Sequence, residues 1–151
     1  MPANPLTPNA RILAAARSFL GLREVPGAAS NPQILAMIRQ AADWLEPDDS
    51  LTAWCGCFRG HLGLITSTGV PRDHFRAASW ATWGRAIDVR QPALWLPGDT
   101  LVMSRPGGKH VAVLQEITAS RARCIGGNQS DAVTSATFPF ERIQHVRRAI
   151  S

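Results

Sequence analysis

The chain reads as a single α+β domain in which helices come first and an antiparallel sheet follows. Three observations predict this. Apolar residues recur at helical spacing in three segments before residue 70. After Leu96 that pattern gives way to short β-prone runs bounded by Gly and Pro turns. The change of pattern happens once, without an internal repeat or a linker, so one domain covers residues 1–151.

The elements follow in order. Met1 to Pro8 is proline-rich and extended. Asn9 is placed to cap a first helix whose stripe is Ile12, Leu13, Ala16, Phe19 and Leu20, with Gly21 ending it. Glu24-Val25-Pro26-Gly27 is a turn. Asn31-Pro32 starts a second helix with Pro at its first position, and Ile34, Leu35, Ile38, Ala41, Ala42 and Leu45 form its buried face. A polar, acidic turn (Glu46-Pro47-Asp48-Asp49-Ser50) precedes a third helix that opens at Cys55. Its apolar face is Phe58, Leu62 and Ile65, and Gly69 is its stop. Ala77 to Trp83 reads as a short fourth helix before Gly84. Strands are expected over Thr100–Ser104, His110–Leu114 and Arg121–Ile125, and more weakly over Val133–Phe138 and Ile143–Ala149. The turns between them are Pro97-Gly98-Asp99, Pro106-Gly107-Gly108 and Gly126-Gly127.

Composition removes several classes of protein. With 45% hydrophobic and 18% charged residues the chain can bury a real core and is not a disordered one. No run of about 18 apolar residues is present, so no membrane-spanning helix is expected. The start lacks a basic region followed by an apolar core, so synthesis in the cytoplasm without a signal peptide is the expectation. Three cysteines make no disulfide framework, and free thiols are expected. The net charge is +5. From Leu101 onward there are seven Lys/Arg against three Asp/Glu, or +4. A basic second half fits an anionic partner, and equally an ordinary soluble surface.

Cys55 carries the chemistry. A cysteine in the first turn of a helix meets free N–H groups and the positive end of the helix dipole, which favour thiolate over thiol. A cysteine nucleophile needs a base, and the base needs an orienting group. Of His61, His74, His110 and His145, His110 is the candidate, because it follows a glycine turn at the start of a strand. Asn128 lies at the end of the next strand, where it can fix the tautomer of His110. Cys57 lies about 200° around the helix from Cys55, so the two cannot share a cleft. Cys57 and His61, four residues apart, form a rival dyad or half a metal site. No second pair has zinc spacing, so no metal and no cofactor is expected. His74 and His145 sit among arginines and read as solvated. Trp80, Trp83 and Trp95 either line a substrate groove or close the core, and for Trp83 and Trp95 the core is the preferred reading.

Trp54-Cys55 opening a helix, Pro97-Gly98-Asp99 leading into a strand, His110-Val111 opening the next and Gly126-Gly127-Asn128-Gln129 after it resemble the NlpC/P60 and CHAP superfamily. The likeness is closest to its small phage-type cell-wall hydrolases, and Glu24-Val25-Pro26-Gly27 and Asn31-Pro32 fit that subgroup too. The resemblance implies a papain-like fold and hydrolysis of an amide bond in peptidoglycan by a cysteine. By position it makes Cys55 the nucleophile, His110 the base and Asn128 the polar third member, with Trp54, Trp80 and Gln129 contacting substrate. Two departures stand out: Gly126 where CHAP members often carry a glutamate, and the second cysteine, Cys57. The expected partner is peptidoglycan, reached after release or delivery to the cell wall, with a delivery system or an inhibitor protein as further partners. Nucleic acid and stable membrane insertion are not expected. The rival readings are a non-catalytic module on an anionic wall polymer and a cysteine acyltransferase or amidase on another substrate.

Overall fold

The computed structural model describes residues 6–25, 30–45 and 53–150. The acidic turn at 46–50, residues 26 and 27 of the first turn, and residues 1–5 lie outside them. Three helices, α1 (Pro8–Ser18), α2 (Pro32–Ala41) and α3 (Cys55–Ile65), precede a six-stranded antiparallel sheet. Its strands are β1 (Arg85–Ile87), β2 (Thr100–Arg105), β3 (Gly108–Ile117), β4 (Arg121–Gln129), β5 (Ala132–Pro139) and β6 (Ile143–Arg148), in the order β1-β6-β2-β3-β4-β5.

The helices begin where side chains can satisfy the first N–H groups. Asn31 caps α2, its side chain accepting from Gln33 and Ile34 N–H, with Pro32 at the first position as expected. The cap of α1 is Thr7 rather than Asn9. Pro8 takes the first helical position, and Asn9 is freed to donate to Pro97 O at 3.0 Å and Asp99 Oδ1 at 2.9 Å. The third helix starts at Cys55 and ends at Ile65, before Gly69, whose φ of +90° closes the following turn. Ile65 is half exposed and lies off the core face. Ala77–Thr82 is a 3₁₀ helix instead of an α-helix. β1 was not foreseen: three residues on the sheet edge carry too little periodicity to register.

The sheet has an apolar cluster on each face. Val113, Ile125 and Val133 pack against Ile12, Ile34, Ile38, Phe58 and Leu62 of the helices. Leu101, Met103, Ala112, Leu114, Cys124 and Val146 fill the other face beneath Trp95. Cys57 belongs to the helical cluster, whereas Cys55 sits in a separate patch with Trp80, Val102 and Val111. The two thiols thus point apart, as helical geometry requires.

Asp99 ties the ends of the chain together. It is wholly buried, receives Arg148 Nε at 2.7 Å and Nη2 at 2.8 Å, and also takes Asn9 and the Leu96 N–H. One carboxylate therefore joins α1, the turn before β2, and β6. Removing one partner of a buried, hydrogen-bonded pair leaves the other charge stranded. Asp99→Ala is expected to cost about 3–5 kcal/mol, read in a thermal melt as a Tm lower by roughly 10 °C. A change under about 2 °C would show that Asp99 holds nothing together.

Candidate active site

The site is built where β3 and β4 part company. Pairing between them starts at Val113↔Ile125, so residues 110–112 have no partner on β4. On the other side of β4 the register with β5 breaks between Gly126 and Gln129, where Asn128 adopts φ +58°. Gly126 and Gly127 span the gap. A Cβ on Gly127 would come within 2.7 Å of both Phe58 and Trp54, so the start of α3 lies directly on this backbone.

Cys55 reaches the gap from the helical face. The Val111 N–H, together with the Cys55 and Gly56 N–H groups of the first turn, acts on its sulfur in the direction that favours thiolate. Trp54, the N-cap, makes no side-chain cap bond, which leaves those N–H groups to the thiol. Gly56 permits this approach. A Cβ there would lie 2.4 Å from Phe75 O and 2.6 Å from His74 O, so the loop at 74–75 presses on the helix tip.

His110 reaches the gap from the other face. Strand alternation puts it with Ala112 and Leu114, and its ring packs against Phe138 with centroids 5.9 Å apart. Cys55 packs with Val102 and Val111 on the helical face, whereas His110 points to the opposite face, and Cys55 is not among the residues that line the His110 pocket. No hydrogen bond joins the Cys55 sulfur to the imidazole among the described residues. Arg105 acts electrostatically on both groups.

The amide hydrogen-bonded to His110 is that of Gln129 and not, as expected, that of Asn128. His110 Nε2 lies 2.9 Å from Gln129 Oε1. The amide cannot turn around, because its Nε2 donates to Thr134 O at 2.8 Å and to Thr134 Oγ1 at 3.1 Å. A carbonyl accepts only, so Gln129 must present its oxygen to the ring, and His110 must carry its proton on Nε2. Nδ1 is then a free base. Gly126 makes room for this: a Cβ there would sit 2.4 Å from Gln129 Oε1, in the space the amide occupies. The space above Gly126 is filled by the Gln129 amide from three residues on. Asn128 lines the same pocket as His110 without bonding to it. Its sequence signal was turn chemistry, which its positive φ bears out; nothing in a Gly-Gly-Asn-Gln string distinguishes which amide faces the ring.

Trp54 and Trp80 are corrected as substrate contacts. Both are completely buried. Trp54 packs on Gly127 inside the helical core. Trp80 donates to His74 O and lies 4.4 Å under the guanidinium of Arg59, which is buried itself, bonds Thr100 Oγ1 and also faces Trp83 at 4.9 Å. His74 is buried against Gly60 rather than solvated. His145 is exposed as expected. His61 meets Gln40 at 3.0 Å and the Phe19 ring, so it forms no dyad with Cys57. The exposed aromatic missed by sequence is Trp44, which stacks edge-on with Phe75 at 5.2 Å.

Burial decides the protonation states. It pushes the Cys55 thiol above its ordinary value, outweighing the Val111 N–H, Arg105 and the helix tip. The expected resting thiolate is therefore replaced by a neutral thiol. Burial also lowers His110, against the Gln129 bond that raises it, while Arg105 and Arg142 lower it further. The resting pair is thiol and neutral imidazole. Compared with known proteins, the chain matches no family model and no curated relative.

These states are open to alkylation. Iodoacetamide, mapped by peptide mass, should modify Cys55 slowly at pH 7 and ever faster through pH 9. Cys57 and Cys124, each pushed to about 12, should lag behind it. A Cys55 rate already flat by pH 7 would establish a preformed thiolate instead.

Proposed function

We propose that the protein is a cysteine hydrolase of papain-like type that cleaves an amide bond of peptidoglycan. The observation that carries this reading is the Thr134–Gln129–His110 relay. It leaves Nδ1 of a neutral imidazole as a base one residue along β3 from Val111, against which Cys55 packs. An imidazole fixed in this tautomer next to a cysteine at a helix tip is the arrangement for nucleophilic acyl transfer. The NlpC/P60 and CHAP resemblance supplies the substrate class, and the basic second half complements an anionic cell wall.

Each step conserves its protons. His110 Nδ1 takes the proton of the Cys55 thiol as sulfur attacks the carbonyl carbon. The first N–H groups of α3 face the developing oxyanion. The imidazolium then protonates the leaving amine as the C–N bond breaks, leaving a thioester. Water attacks the thioester with its proton passing to Nδ1, and the thiol is restored as the acid departs. The sulfur and imidazole are not hydrogen-bonded at rest; such contacts commonly tighten only when substrate is bound. No step calls on a metal or an organic cofactor.

Digestion of purified sacculi, with fragments identified by mass spectrometry, tests the reading. Wild type and Cys57→Ala should release peptide fragments, and Cys55→Ala should release none. His110→Ala should lower kcat by about 10²–10⁴-fold. Intact sacculi after wild-type treatment would remove the wall substrate, and lysis by Cys55→Ala would remove the enzyme altogether.

The relay gives a second, sharper test. Gln129→Ala should reduce kcat far more than Asn128→Ala. Gly126→Ala should match Gln129→Ala in activity, since its Cβ would displace the amide, and should also melt below wild type, because that Cβ would lie 3.1 Å from the Cβ of buried Ala112. The acid limb of kcat/KM should fall below about 6.5, because burial holds His110 neutral below the ordinary histidine range. Equal losses in Asn128→Ala and Gln129→Ala would refute the relay.

A further inference from the structure

Beside His110 lies a pocket of about 250 Å³, with room for about eight water molecules at liquid density. That is room enough for one amino-acid side chain. Its charged lining is Arg105 and Arg142, with Asn128, Gln129 and Ser130 adding polar groups and Phe138 a flat wall; no Asp or Glu lines it. Arg142 is held in place, donating from Nε at 3.0 Å and Nη2 at 2.7 Å to Ser104 O, with its guanidinium 5.2 Å from the Phe138 ring. Arg105 has a buried Nε with no hydrogen-bond partner, and no ion pair with it is present among the described residues. Two cations on one small pocket repel each other, and a buried donor left unpaired is costly. An anion relieves both.

We infer that this pocket binds a carboxylate on a substrate residue next to the scissile amide, making Arg105 and Arg142 specificity-determining residues of the hydrolase. The inference rests on the hydrolase reading for its substrate, while the pocket's charge and size stand by themselves. A planar guanidinium fork matches a carboxylate, and a carboxamide of the same shape offers no charge and one acceptor oxygen in place of two. Discrimination therefore turns on one functional group.

The test uses synthetic peptides in two pairs, one pair for each side of the cleaved amide. The members of a pair differ only in a side-chain carboxylate against the carboxamide. Wild type should favour the carboxylate form of one pair by about tenfold or more in kcat/KM, mainly through KM. Arg105→Gln should erase the preference and Arg105→Lys should keep part of it. Equal rates on both members of both pairs would overturn the inference and leave the hydrolase standing. Calorimetry of Cys55→Ala with the same peptides separates the two ideas. If wild type cleaves nothing, tighter binding of the carboxylate form that Arg105→Gln abolishes sustains the pocket without the hydrolase. Equal binding ends it. Should Arg105→Gln lose its cooperative melt, the wild-type pairs decide the matter.

Discussion

The break in pairing between β3 and β4 is the constraint on which the site depends. A continuous ladder would bring the two backbones within about 5 Å along their whole length and would seal one face of the sheet from the other. Here the ladder begins only at Val113↔Ile125. In the unpaired stretch the Val111 N–H acts on the Cys55 sulfur and favours its thiolate. The bulge on β4 turns Gln129 back over Gly126 toward His110. Bulges near sites serve to re-aim side chains, and this one aims an amide whose orientation is then fixed by Thr134 on the adjoining strand.

Much of this was legible in the sequence, for stated reasons. The α+β order, the start of α3 at Cys55 and the Asn31-Pro32 start of α2 depend on local signals, and local signals survive folding. The placing of His110 near the start of a strand after a glycine turn rests on a signal of the same local kind. What failed depended on tertiary context. Thr7 displaced Asn9 as the cap of α1 because Asn9 has a better use against Asp99, 90 residues away. Gln129 displaced Asn128 because a bulge inverts which residue faces the ring, and the bulge is visible only in the register. A one-residue slip of this kind exchanges the two faces of a strand.

The tryptophans show why residue type alone misleads. Aromatic faces suit sugars and peptides, and equally suit the job of filling space. Trp54 lies on a glycine backbone, and Trp80 lies under a buried arginine. Burial pushes Arg59 down to about 9, so it remains a cation at neutral pH, with its terminal nitrogens unpaired. A charge without a carboxylate partner needs another source of stabilisation, and the rings of Trp80 and Trp83 supply it as cation–π contacts worth up to about 2 kcal/mol or more when desolvated. The wholly buried ring of Trp80 is then unavailable to a ligand.

The neutral thiol and imidazole pose the problem that the pocket answers. Burial opposes charge on both partners, so the proton transfer that would start the proposed hydrolysis creates two ions where each is penalised. Arg105 acts on both with opposite consequences. It favours the thiolate and disfavours the imidazolium, so its help to one partner is a hindrance to the other. Arg142 contributes only hindrance to His110. A carboxylate seated between the two arginines would cancel their field at the imidazole, whose bond to Gln129 already stabilises the added proton. Substrate binding would then raise the basicity of His110 at the moment a base is required, and the free enzyme would rest with its sulfur protonated and protected from stray electrophiles. On this argument the arginines that lower His110 in the empty site belong to the recognition of substrate, and the low basicity they impose is confined to the resting state.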